Sequence, residues 1–81
     1  MKLFRMVKAQ QEKKFALCIE NKDAEDLEKR KIYQVIANDS AESEGYLRVI
    51  DESGEDYLYP DSYFIMIKLP HAAQKALQTG L

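Results

Sequence analysis

Apolar residues in this 81-residue chain fall in short bursts separated by polar stretches. Phe15-Ala16-Leu17-Cys18-Ile19 is a continuous apolar run, too short for an independent helix, and its composition predicts a strand buried on both faces. The polar stretch 20–31 carries only Leu27 as a large apolar anchor, which predicts a long loop with room for one helical turn. Ile32 to Ala37 predicts a second strand through Tyr33, Val35 and Ile36. Asn38 to Gly45 is rich in Asn, Asp, Ser and Glu and predicts a loop. Tyr46 to Ile50 predicts a third strand. Glu52-Ser53-Gly54-Glu55 then predicts a tight hairpin, since glycine supplies the positive φ such turns need.

Tyr57-Leu58-Tyr59 predicts a fourth strand stopped by Pro60, which cannot donate to a ladder. Asp61-Ser62-Tyr63 reads as one 3₁₀ turn and Phe64 to Lys68 as a fifth strand. Pro70 suits the first position of a helix over 70–79, with Ala73 and Leu77 on its packing face and Gly80 as terminator. Residues 1–14 carry two patterns: Leu3, Met6, Val7 and Gln10 fit a helical face, while Phe4 and Met6 alternate as in a strand. The reading adopted for 1–14 is an arm or extra strand. Five short strands divided by a long first loop, a polar second loop and a tight third turn predict an all-β small barrel.

Three stretches give that barrel a family likeness. Ala16-Leu17-Cys18-Ile19-Glu20 resembles the opening strand of SH3 domains, and Lys31-Ile32-Tyr33-Gln34-Val35-Ile36 is similar to their second strand. Leu58-Tyr59-Pro60-Asp61-Ser62-Tyr63-Phe64 resembles their closing segment, with its 3₁₀ turn before the last strand. In overall wording the chain resembles small stand-alone bacterial SH3-like proteins. The likeness covers residues 15–68 and implies a five-stranded SH3-like barrel over 15–69 with a short C-terminal helix over 70–79. It also implies a peptide groove, of which Pro60 and Tyr63 match the family pattern. Cys18 and Glu20 stand where the groove's tyrosines belong, and the chain has no tryptophan, Gly45 or Tyr46 falling nearest that place. Arg30-Lys31 replaces the glycine that usually precedes the second strand. Such a groove retains few of the walls that hold proline-rich ligands.

Composition narrows the function further. The net charge of -2 conceals a basic start, +4 over residues 1–14, and an acidic middle, -7 over residues 39–61. An acidic surface repels phosphate backbones, which argues against a general nucleic-acid binder. One cysteine excludes an internal disulfide framework, and with no recognisable export signal or spanning run the expected compartment is the cytoplasm. No nucleophile–histidine pair, metal-ligand spacing or phosphate-cradling glycine loop is present in the sequence, so neither enzyme activity nor a cofactor is expected.

The functional expectation is therefore a small non-catalytic protein-interaction or regulatory module. Its candidate contact surface is Tyr46, Tyr59, Pro60 and Tyr63, flanked by Glu42 and Glu44. Tyrosine anchors interfaces through apolar bulk and a hydroxyl, and an acidic rim favours a basic or extended peptide partner. Within the fourth strand, side-chain alternation assigns Tyr57 or Tyr59 to packing. The alternative is a nucleic-acid-binding barrel using the basic arm with Lys8, Lys13 and Lys14. A monomer or weak homodimer is expected, without membrane association.

Overall fold

The structure is a computed structural model and describes residues 13–79. The proposed arm or extra strand over 1–14 lies outside the described residues apart from Lys13 and Lys14. Five strands, β1 (Lys14–Cys18), β2 (Ile32–Ile36), β3 (Tyr46–Ile50), β4 (Asp56–Pro60) and β5 (Phe64–Ile67), form one sheet in the order β4-β3-β2-β1-β5. Every neighbouring pair is antiparallel. A short helix, α1 (Asp39–Ser43), joins β2 to β3; a 3₁₀ turn (Asp61–Tyr63) joins β4 to β5; and α2 (His71–Thr79) follows the sheet.

Strand alternation sorts the side chains onto two sides. One side carries the core: Ala16, Cys18, Leu27, Tyr33, Val35, Leu47, Val49 and Phe64, with Ala24, Tyr59 and Tyr63 packed against it. Tyr59 meets Phe64 edge-on at 6.3 Å between ring centres, a favoured aromatic geometry. Cross-strand partners fix the second side. Phe15 opposes Gln34 and Ile67, and Leu17 opposes Ile32 and Ile65. Ile36 opposes Arg48, Arg48 opposes Leu58, and Tyr46 opposes Pro60. Directly opposed residues project to the same face, so this second face is also largely apolar. The doubly apolar reading of β1 thus has its counterpart in the sheet, and Phe15 is only 3% exposed although it lies outside the core cluster.

The loop predicted over Asn38 to Gly45 is instead a capped helix. Asn38 Oδ1 accepts the Ala41 N–H at 3.0 Å, and Glu42 Oε2 accepts the Asn38 N–H at 3.3 Å. These reciprocal bonds satisfy donors that a helix start leaves open. Ala41, 5% exposed, supplies the apolar anchor, and Gly45 at φ +89 ends the turn in the left-handed region. Composition alone suggested a loop because four of the five helical residues, Asp39, Ser40, Glu42 and Ser43, are polar. Other differences are at element ends. β1 begins at Lys14 and releases Ile19, β2 and β5 stop at Ile36 and Ile67, and α2 starts at His71. Pro60 is the last residue of β4 rather than the residue beyond it.

Residues 19–31 form the long loop, and hydrogen bonds tie it down at both ends. Ile19 and Glu20 donate to the Tyr63 carbonyl, while Arg30 donates to that of Cys18 at 2.7 Å. Arg30 sits at φ +71, a backbone region that costs non-glycine residues energy. Leu27, 2% exposed, carries the middle of the loop into the core. Replacing it with alanine is expected to cost about 2–5 kcal/mol, against a total of roughly 3–5 kcal/mol for a core of this size. Urea titration of the Leu27→Ala variant checks this: the unfolding midpoint should fall by half or more, whereas a loss under about 1 kcal/mol would show that the loop folds without its anchor.

Candidate functional site

The six candidate residues do not form one patch. Tyr46 opens β3 directly after Gly45, and the Asp61 N–H donates to the Gly45 carbonyl at 2.9 Å, drawing the end of β4 against it. Tyr46 therefore stands opposite Pro60. Glu42 on α1 and Glu44 at its C-cap precede that pair by a few residues and are exposed. Tyr46 is 43% exposed, and Leu58, on the same face of β4, is 50% exposed. Arg48 lies opposite Leu58 and pairs its Nη1 with Asp56 Oδ2 at 2.8 Å. Tyr46, Pro60 and Leu58 thus make an aromatic-aliphatic strip on the β3–β4 hairpin, with carboxylates at both ends. Leu58 escaped the sequence reading; its signal is position, two residues before Pro60 and hence on the same side of a strand.

Tyr59 and Tyr63 face the core. The Tyr59 hydroxyl donates to Asp51 Oδ2 at 2.5 Å, and the Tyr63 hydroxyl donates to the Lys22 carbonyl at 2.8 Å. Tyr57 lies two residues from Tyr59 on the same side of β4, but it overhangs the hairpin, half exposed, with its hydroxyl donating to Glu55. Inward parity thus covers both tyrosines, and only Tyr59 reaches the core.

The acidic hairpin has structural work for its carboxylates. Asp51, 5% exposed, accepts from the Ser53 N–H and hydroxyl as well as from Tyr59. The Asp51 side chain thereby closes a turn over its own backbone, and Gly54 at φ +87 completes it. Next in sequence, Glu52 accepts from the Tyr33 hydroxyl and from Lys31 Nζ at 3.1 Å. Its backbone N–H reaches the Asp26 carbonyl, which binds the hairpin to the long loop. Cys18 is fully buried, and burial pushes its thiol pKa up, so little nucleophilic thiolate forms. Among the described residues no group of three or more His, Cys, Asp or Glu could hold a metal ion. No helix among them is long and apolar enough to cross a membrane.

A separate cavity of about 440 Å³ opens on the second face of the sheet, floored by Phe15, Ile32 and Ile50. Leu77 of α2 forms one wall, and Lys31 and Glu52 lie at its polar border. α2 is held at its start by the Gln74 side chain, which donates to the Leu69 carbonyl at 2.9 Å. No protein-family model, curated protein or solved structure matches the chain.

The carboxylate–tyrosine bonds set the pH response. Burial pushes the Asp51 pKa up, but bonds from Ser53 and Tyr59 together outweigh it and leave it below the ordinary 3.8. Bonds from Tyr33 and then Lys31 hold Glu52 below its ordinary 4.5. Both groups favour the folded state when ionised, so their contribution is complete above the unfolded pKa and is lost as pH falls through the folded one. Burial, and then the facing carboxylates, raise the Tyr33 and Tyr59 hydroxyls above the ordinary 10.0. Their contribution is complete below that value and is lost at higher pH. Thermal unfolding should therefore be level between about pH 5 and 9 and fall on either side. Tyr59→Phe should cost about 1–3 kcal/mol at pH 7 by leaving the Asp51 carboxylate short of a donor, and should flatten the acid limb. A pH series of melting curves for both proteins checks this; parallel acid limbs would remove the Tyr59–Asp51 bond as a contributor to the acid limb.

Proposed function

We propose that this chain is a small non-catalytic interaction module built on a five-stranded SH3-like barrel, working in the cytoplasm of a bacterium. The carrying observation is the strip of exposed Tyr46 and Leu58 with half-buried Pro60 on the β3–β4 hairpin, with Glu42 and Glu44 at one end and Asp56 at the other. The strand order, with β1 paired to both β2 and β5, supports the barrel reading, as does the 3₁₀ turn before β5. Tyrosine and proline offer rigid apolar contact at small entropic cost, and flanking carboxylates draw positive charge. The partner that fits is an extended peptide segment combining apolar residues with lysine or arginine. This strip differs from the family groove expected around Pro60 and Tyr63, because Tyr63 spends its ring on the core and its hydroxyl on Lys22.

Fluorescently labelled twelve-residue peptides, extended and either basic or acidic, provide the test. Basic members should bind and shift the amide resonances of Tyr46 and Leu58. Tyr46→Ala should weaken binding about tenfold, equivalent to about 1.4 kcal/mol, with unchanged thermal unfolding. Tyr63→Ala should instead lower the unfolding temperature. Equal binding of acidic and basic peptides, or shifts that avoid the hairpin, would overturn the reading. Binding of an oligonucleotide abolished by neutralising Lys8, Lys13 and Lys14 would turn the case to nucleic acid.

A further inference from the structure

β4 and β5 are the two ends of the sheet, and their free edges differ in composition. β4 is bounded by Asp56 and Pro60, and charge and proline are means by which proteins keep an edge from pairing. β5 is Phe64-Ile65-Met66-Ile67, with neither. It is apolar on both faces: Met66 is 48% exposed on the core side and Ile65 is 50% exposed on the second face. The ladder to β1 shows which backbone groups of β5 stay open. Cys18 gives its N–H to the Lys31 carbonyl and accepts the Arg30 N–H, both on the β2 side, whereas the Ile19 N–H turns the other way to the Tyr63 carbonyl. Antiparallel bonding alternates along a strand, so Leu17 and Phe15 also turn to β5 and bond their register partners Ile65 and Ile67. The backbone of Phe64, Met66 and Lys68 therefore faces away from the sheet. The Phe64 N–H is taken by the Asp61 carbonyl. The Phe64 carbonyl, the Met66 N–H and carbonyl, and the Lys68 N–H have no partner among the described residues.

We propose that the free edge of β5 pairs antiparallel with the β5 edge of a second copy, about a two-fold axis at Met66. The open groups select this register. Met66 stands opposite Met66 of the second copy and the two exchange N–H to carbonyl bonds, while the Lys68 N–H of each copy meets the Phe64 carbonyl of the other. A shift that set Phe64 opposite Met66 would aim the Met66 carbonyl at a donor already spent on Asp61. The opposite shift would set Phe64 against Pro70, which has no N–H. In the selected register Ile65 lies opposite Ile67 on the second face and the two Met66 side chains meet on the core side, which covers the half-exposed residues of the edge. Charge agrees as well. Lys68 stands opposite Phe64, at the end of the other copy's 3₁₀ turn, whose first residue is Asp61. Both side chains are exposed, and neither forms a salt bridge among the described residues. The contact is self-complementary and closes as a dimer. It is also small, one strand of four residues from each copy, so association is weak and concentration-dependent. It lies at the far end of the sheet from the Tyr46 strip and is independent of peptide binding there.

Sedimentation equilibrium of the full chain from micromolar to millimolar concentration tests the assignment and should show a reversible monomer–dimer equilibrium. Met66→Pro removes the outward N–H and leaves the Ile65 and Ile67 bonds to β1 in place, a position where an edge strand tolerates proline. It should weaken the dimer about tenfold or more and still unfold cooperatively. Asp61→Lys and Lys68→Asp test the register without touching the ladder. Each alone should weaken the dimer several-fold at low salt, because like charges then meet at both ends. Mixed in equal amounts, the two variants should form a heterodimer about as strong as the wild-type dimer, with opposite charges restored at both ends. A chain that stays monomeric at millimolar concentration would overturn the proposal, as would a folded Met66→Pro variant that dimerises like wild type. A mixture of the charge variants no better associated than either alone would also overturn it. Growth into species larger than a dimer would assign the edge to head-to-tail pairing and overturn it too.

Discussion

Three tyrosine hydroxyls fasten the polar loops of this protein to its sheet. Tyr33 donates to Glu52 and accepts the Glu28 N–H, Tyr59 donates to Asp51, and Tyr63 donates to the Lys22 carbonyl. Each ring packs in or against the core while its hydroxyl reaches a loop. A chain with ten buried apolar side chains among its described residues gains little from burial alone. The long loop and the hairpin are too polar to fold by hydrophobic attraction, apart from Leu27. Hydrogen bonds supply the rest: backbone bonds at the loop ends and from Glu52 to Asp26, and tyrosine hydroxyl bonds, which are stronger where the acceptor is charged. The dense acidic stretch after β3 follows from this requirement: Asp51 and Glu52 are acceptors for tyrosines before they are surface charge.

The same demand explains what the sequence could and could not reveal. β3 was legible to the residue, since Tyr46 to Ile50 is bounded by glycine on one side and acidic turn residues on the other. The 3₁₀ turn was legible because Pro60 ends the ladder and three residues fit before the apolar Phe64. α1 was not legible. Its stability comes from two side-chain bonds between Asn38, Ala41 and Glu42 and from one buried alanine, and composition over eight residues registers none of these. Leu27 was visible as the sole large apolar residue of its loop, but its place in the core rests on packing against residues distant in sequence, such as Tyr33, Val49 and Phe64.

The candidate surface was half legible for a related reason. A tyrosine has the same letter whether its hydroxyl faces solvent or a buried carboxylate. Tyr46 is exposed because its register partner is Pro60 and its strand parity is opposite to Leu47 and Val49. Tyr59 has the parity of the core. The distinction is available from alternation once the strand limits are known, and it brings Leu58 into the strip at the same time. Tyr63 lies in a turn, where parity says nothing, and its placement comes from tertiary packing and the Lys22 carbonyl.

Two apolar faces on a single sheet constrain what such a small chain can be. The first face is satisfied by the core, with the folded-over loop contributing Ala24 and Leu27. The second has one nine-residue helix, beside which a cavity opens, while Tyr46 and Leu58 on the β3–β4 hairpin stay exposed. At the cavity's border Lys31 is paired with Glu52, and beside the strip Arg48 is paired with Asp56, so in both regions the charges next to the apolar side chains are already matched.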